Sequence, residues 1–339
     1  MAGMSAEIDT LNTPDTRPEL FAQFNVLQEL GDGAAAVVFL VTKKGEEKQY
    51  ALKLLTNDKA FDDNTIERFR EELRICQGIR HPNIVEAYEL LTLDGDFAYL
   101  MEYIEGADLS DLFKQSKFHP NQIDSIFRQL LPAVIELHVH GVLHRDIKLE
   151  NVLLRTDGTI KLSDLGLMKQ YSKDLTATGV ILGTAHYLPP EYVREGIYDV
   201  RSEVYVLGTM LFEMVSGTRW LAHLKGAQAL EHLIKSGFKF PLDALVDAQP
   251  KHRYILQKAL SSNPTDRFQS VKEMLAAFDM AEVPPQAKLS SDSVVAEPVK
   301  PRDELYYQPG PSKKLLIALL LSTVALFAGI TIVIISLIK

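Results

Sequence analysis

Two periodicities divide the first 280 residues. Short apolar runs at 24–29, 36–42 and 49–55, repeated at 84–91 and 97–103, have the length and alternation of strands. Between them, 63–77 spaces its apolar positions at helical intervals, which predicts one amphipathic helix. Beyond Leu109 the pattern turns mostly helical, as at 122–140, 200–216 and 271–280. The predicted fold class is α+β, a small β-rich lobe followed by a larger helical lobe. A cleft between two such lobes is a natural place for a ligand. No internal repeat is evident.

A third pattern occupies 315–338, LLIALLLSTVALFAGITIVIISLI, where no residue is charged. As a helix it would measure about 36 Å, against roughly 30 Å for a hydrocarbon core, which predicts one C-terminal transmembrane helix. Lys313 and Lys314 precede it and only Lys339 follows. The body would then be tethered by its tail at the cytoplasmic face of a cell membrane, as a single-pass protein. The start of the chain sets Glu7, Asp9, Asp15 and Glu19 against Arg17 without an apolar core, so no signal peptide is expected. Prolines 284, 285, 298, 301, 309 and 311 interrupt 281–314, which reads as an extended, mobile linker. The expected organisation is a flexible lead-in over 1–23, a globular body over 24–280, the linker over 281–314 and the span over 315–338.

Composition narrows the function. In 339 residues, 36 Lys and Arg face 45 Asp and Glu, a net charge of −9. That argues against a general basic surface, and no nucleic-acid partner is expected. A single cysteine, Cys76, excludes an internal disulfide and a cysteine-rich zinc site. A hydrophobic fraction of 46% supports a packed core.

Candidate chemistry begins at Leu30-Gly31-Asp32-Gly33-Ala34-Ala35-Ala36-Val37-Val38, between two predicted strands. Gly31 and Gly33 would let backbone approach a phosphate, although a plain hairpin turn explains them as well. No Gly-Lys-Ser/Thr follows, and a strand rather than a helix comes next, which excludes a Walker A loop and a Rossmann turn. Lys53, within Ala51-Leu52-Lys53-Leu54, is either an edge lysine or a phosphate holder that needs an acidic partner. Glu67, Glu71 and Glu72 are candidates for that partner. The most specific stretch is His144-Arg145-Asp146-Ile147-Lys148-Leu149-Glu150-Asn151, followed by Asp164-Leu165-Gly166. Two acids and an amide supply the hard oxygen ligands that Mg²⁺ prefers, and phosphoryl transfer needs both such ions and a carboxylate to orient the attacking hydroxyl.

These motifs resemble those of the eukaryotic-type (Hanks-type) serine/threonine protein kinases, over about residues 24–280, and the body is similar to bacterial membrane-anchored members. The resemblance implies a bilobal protein kinase-like fold and ATP-dependent phosphorylation of protein Ser and Thr hydroxyls, with ATP and Mg²⁺ (or Mn²⁺) as cofactors. It assigns Leu30, Gly31, Gly33 and Val38 to the loop over the phosphates, with Ala51 beside the nucleotide. Lys53 would pair the phosphates and Glu72 would be its helix partner. Met101 would guard the back pocket, next to Glu102 and Ile104 of the adenine hinge. Asp146 would be the catalytic aspartate, Lys148 would steady the γ-phosphate, and Asn151 and Asp164 would ligate metal. Thr184, in Gly183-Thr184-Ala185-His186-Tyr187-Leu188-Pro189-Pro190-Glu191, would contact Asp146 and Lys148, and Glu191 would pair with Arg267. Thr176 and Thr178 resemble paired autophosphorylation sites, where a phosphate would meet Arg145. Self-association at a membrane would favour that reaction in trans, and the location implied is the bacterial inner membrane.

The chain departs from the family pattern at Ala36 for a third glycine, at Leu165, at Pro189, and at Glu203 where the family has aspartate. The extra methylene of Glu203 is expected to strain a packed place at a cost of about 1–3 kcal/mol. A catalytically silent scaffold is the alternative function, and intact Lys53, Asp146, Asn151 and Asp164 argue against it. A small-molecule kinase is the other, and Thr184 with Glu191 argues against that.

Overall fold

A computed structural model describes residues 14–33, 36–55, 74, 77–164, 185–221, 223–224 and 227–280. The described residues all belong to one compact unit, and the second unit, 299–339, lies outside them. After a short helix α1 (Pro18–Gln23), the strands β1 (Phe24–Gly33), β2 (Ala36–Lys43), β3 (Gln49–Leu55), β4 (Ala87–Leu93) and β5 (Asp96–Glu102) make an antiparallel sheet in the order β1-β2-β3-β5-β4. Phe24, Phe39, Val41, Leu52, Leu54 and Leu100 bury one face of it. At about 25 cal/mol per Å² of apolar surface, such burial is what holds a sheet this small together.

Of the expected lead-in over 1–23, residues 18–23 form α1 instead, and Leu20 is fully buried in the small-lobe core. Pro18 supplies a helix-compatible φ at the first position. The Asp94 carboxylate accepts from the N–H groups of Glu19 and Leu20, and Arg17 pairs with Asp96. Fewer than two helical turns are involved, too little for a periodicity to reveal it.

The larger lobe begins with β6 (Gly106–Asp108), α2 (Leu109–Gln115) and α3 (Pro120–Val139). A second sheet, β6-β7-β8, adds β7 (Val152–Arg155) and β8 (Ile160–Leu162). Then come α4 (Pro190–Glu195), α5 (Val200–Ser216), α6 (Ala227–Ser236), α7 (Pro250–Ala259) and α8 (Val271–Asp279). A capping box opens α3, where His119 and Gln122 exchange hydrogen bonds, and another opens α5 with Asp199 and Ser202. Every residue of α5 from Ser202 to Val215 is buried, so this helix is the axis on which the lobe packs. It ends at Gly217, whose φ of 72° only glycine adopts without strain.

Expected 200–216 and observed Val200–Ser216 coincide. The run at 84–91 is diverted at its start: Ile84 bridges to Leu162, and Val85 N–H donates to the Leu162 carbonyl at 2.9 Å, so β4 begins only at Ala87. Most of the helix expected at 63–77 lies outside the described residues.

The membrane helix requires a correction. Residues 315–338 lie outside the described residues, and among those described no helix is long and apolar enough to cross a membrane. The one with the length, α3, carries Asp124, Arg128 and Glu136. The described fold is thus the bilobal body alone, without a C-terminal transmembrane helix. The membrane as partner, the cytoplasmic orientation and the single-pass cell-membrane location drop out with it.

Candidate active site

The loop that carries Asp146 leaves α3 through Gly141, at φ 74°, and takes a second left-handed residue at Arg145, φ 63°. A non-glycine residue pays about 1–3 kcal/mol for such a conformation unless its surroundings hold it. Here the Arg145 N–H donates to Glu203 Oε1 at 2.7 Å, from the fully buried core of α5. The other oxygen, Oε2, meets His138 Nε2 on α3 at 2.6 Å. The methylene that distinguishes Glu203 from aspartate is therefore accommodated: the longer side chain spans two partners, and the loop backbone is still held.

Buried His144 fixes the next step of the loop. Its Nε2–H donates to the Ser163 carbonyl at 3.0 Å, and its Nδ1 accepts from Asp146 N–H at 3.3 Å. Burial lowers the imidazole from its ordinary value, which matches a neutral ring with one donor and one acceptor. Asn151, on a short 3₁₀ turn (Leu149–Asn151), donates from Nδ2 to the Asp146 carbonyl at 2.8 Å and to Asp146 Oδ2 at 3.0 Å. Lys148 Nζ lies 3.1 Å from the same carboxylate oxygen. Ser163 N–H donates to the Asn151 carbonyl at 2.9 Å, which ties the loop to the residue before Asp164.

Across the cleft, Lys53 comes from β3. Its register partners are Val38 on β2 and Tyr99 on β5. Lys53 Nζ reaches Asp164 Oδ1 at 2.5 Å, from one lobe to the other. Burial opposes the ammonium charge, but the Tyr99 and Asp164 oxygens outweigh it and hold the group above its ordinary value. Asp164 itself sits at φ 56°. Ala51 pairs with Met101, and both are buried, as is Ile104. Glu102 turns to the opposite face, where Lys161 meets it at 2.8 Å. Leu30 is exposed. A Cβ built on Gly31 would meet no atom within 4 Å, so packing does not require glycine there.

Thus Lys53 pairs with Asp164, Lys148 and Asn151 both meet Asp146, and the Ser163–Asn151 backbone bond joins the two groups. Gly33 is described only through its backbone pairing with Ala36. Glu72, Thr176, Thr178 and Thr184 lie outside the described residues. Beneath the cleft, Arg267 donates to Glu191 through both terminal nitrogens, at 2.8 and 2.7 Å, the bidentate pairing expected of these two residues. Sequence reasoning missed Tyr99 and His138. Tyr99 was within reach of it, since it lies two positions before Met101 and so on the same face of β5.

The donor set fits a hard divalent cation. Asn151 spends its amide N–H groups on Asp146, which leaves the amide oxygen as the outward acceptor. Asp164 adds a carboxylate. Among the described residues no group of three or more His, Cys, Asp or Glu forms a complete metal cage. Mg²⁺ is commonly bound by one or two protein oxygens plus the phosphates of a substrate, and Asn151 and Asp164 supply two such oxygens.

A family model described as the protein kinase domain matches residues 24–278. The serine/threonine-protein kinase PrkC of Bacillus subtilis is 35% identical over 197 residues, 58% of this chain and 30% of its own length. The serine/threonine-protein kinase PknB of Mycolicibacterium smegmatis is 30% identical over 270 residues, 77% of this chain and 43% of its own length. The chain thus spans less than half the length of either relative. The crystal structure of the Mycobacterium tuberculosis PknI kinase domain superposes with a TM-score of 0.61 at 26% identity, covering 76% of this chain and 96% of that one.

Proposed function

Because this chain belongs to the protein kinase domain family, on the branch of the eukaryotic-type serine/threonine kinases related to bacterial members, we propose that it transfers the γ-phosphoryl group of ATP to Ser and Thr hydroxyls of proteins. The observation that most supports this is the Lys53–Asp164 contact at 2.5 Å, which sets a cation and a carboxylate beside the Asp146–Asn151 pair. ATP enters with its adenine against Ala51 and Met101 and along the backbone of Glu102 to Ile104. Leu30, Gly31, Gly33 and Val38 cover it. The Lys53 ammonium holds phosphate oxygens, and Glu72 would be its helix partner. Asn151 and Asp164 are the residues that would hold Mg²⁺, which when bound neutralises charge on the phosphate oxygens.

Asp146 orients the acceptor hydroxyl. As the new oxygen–phosphorus bond forms and the bond to the β-phosphate oxygen breaks, the hydroxyl proton passes to the Asp146 carboxylate and ADP leaves. Lys148, 3.1 Å from that carboxylate, steadies the γ-phosphate. Thr184, as its kinase motif implies, would contact Asp146 and Lys148 and favour Ser and Thr acceptors. A phosphate on Thr176 or Thr178, placed by the enzyme itself, pairs with the Arg145 guanidinium and raises activity.

Incubation with radiolabelled ATP, Mg²⁺ and a generic basic protein, followed by phosphoamino-acid analysis and peptide mapping, tests this. Phosphoserine and phosphothreonine in the substrate and phosphate on Thr176 or Thr178 are expected, the latter lost in Lys53→Met. Label only on tyrosine, or a Thr176→Ala/Thr178→Ala enzyme as fast as wild type, contradicts the acceptor class and the activation step respectively.

A further inference from the structure

Tyr99 places a polar group beside Lys53 and Asp164. It sits on β5, in register with Lys53 on β3. Its hydroxyl lies 3.2 Å from Asp164 Oδ1, the same oxygen that Lys53 meets at 2.5 Å. The Lys53 ammonium is 5.9 Å from the centre of the tyrosine ring. Both donors fall on Oδ1, and among the described residues none falls on Oδ2. The carboxylate is thereby held in one rotation about its terminal bond, with a single oxygen left for a ligand.

We propose that Tyr99 is a positioning residue for the divalent cation: by holding Asp164 Oδ1 it presents Oδ2 as the ligand oxygen. This rests on Asp164 being a cation ligand, as set out above. When ATP draws the Lys53 ammonium towards its phosphates, the tyrosine hydroxyl is the tether that stays on Oδ1. Partners of this kind, bonded to a ligating carboxylate from behind, are worth about 10–100-fold in metal affinity.

The test compares wild type, Tyr99→Phe and Tyr99→Leu. Free Mn²⁺ is measured by electron paramagnetic resonance in the presence of a non-hydrolysable ATP analogue, and analogue binding is measured separately without metal. Tyr99→Phe keeps the ring and the packing, so its thermal midpoint should equal that of wild type. Its Mn²⁺ dissociation constant should rise about tenfold, with metal-free nucleotide affinity unchanged, and Tyr99→Leu should match it. Mn²⁺ binding within twofold of wild type, or tighter, in Tyr99→Phe overturns the proposal. Equal loss of nucleotide and Mn²⁺ affinity also overturns it, since that marks a packing role. If wild type with the analogue binds no Mn²⁺, Asp164 is not a cation ligand, and the metal site falls together with this proposal.

Discussion

In the proposed mechanism Asp146 takes a proton from a hydroxyl while its carboxylate is held at one angle, and Asn151 helps to hold it. Truncation to Asn151→Ala removes the bonds at 2.8 and 3.0 Å and with them the amide oxygen. Turnover should fall by a hundredfold or more, about the value of a positioned acid–base group, with unchanged circular dichroism. A loss of less than tenfold in a steady-state assay would show that Asp146 is held by other means. Glu203 acts on the same loop through its backbone. Glu203→Ala leaves the Arg145 N–H without its partner at a strained φ, and stability should drop by about 1–3 kcal/mol in urea unfolding. His138→Ala should cost less, because Arg145 keeps its bond. The Asp146–Asn151 contact was legible because a motif of fixed spacing fixes contacts within one loop, and Asp164 because its own motif follows at a fixed distance beyond β7 and β8. His138 was not, since its partner Glu203 is 65 positions away and only the packing of α3 on α5 joins them.

Among the elements, β6 shows how a short strand depends on one residue. A Cβ on Gly106 would lie 2.1 Å from the carbonyl oxygen of Leu154 on β7, a backbone atom that cannot move aside. Gly106→Ala should therefore open the β6–β7 pairing and lower stability by about 1–3 kcal/mol. A thermal midpoint equal to wild type would refute that close approach. Strand and helix periodicities carried β3 and α5 to within a residue of their bounds because each buries a continuous stripe. They failed at Ile84, where a parallel bridge to Leu162 competes with β4, and at α1, where fewer than two turns are too short to show a period. The first failure arises from a tertiary contact, which local patterns do not contain.

On the scale of the whole molecule, the helical lobe buries a charge network beneath the cleft. Burial raises Glu213 from 4.5 to about 7, against the Arg219 guanidinium at 3.3 Å and the Tyr187 hydroxyl at 2.5 Å, both of which favour the carboxylate. Between pH 4.5 and 7 the folded state binds this proton and the unfolded state does not, so its contribution to stability falls as pH rises through that window. His186, lowered to about 4 by burial, slopes the other way, because the unfolded state binds the proton between pH 4 and 6.5. The difference in unfolding free energy between Glu213→Gln and wild type isolates the first group. It should grow in favour of the variant by roughly 3 kcal/mol from pH 4.5 to 7 and then level off; a difference independent of pH would contradict a raised Glu213. The two lobes were legible because the switch from period two to period 3.6 falls at Leu109, where one lobe gives way to the other. That the cleft joins Lys53 to Asp164, 111 positions apart, is a property of the assembled lobes. Transfer of phosphate at that cleft is tested most directly by single-turnover incubation with γ-labelled ATP and a protein acceptor, comparing wild type with Asp146→Asn. Wild type should label Ser and Thr, and Asp146→Asn should be slower by a hundredfold or more while binding nucleotide as wild type does. Transfer by Asp146→Asn at close to the wild-type rate, or nucleotide binding without transfer by wild type, would contradict phosphoryl transfer at this site.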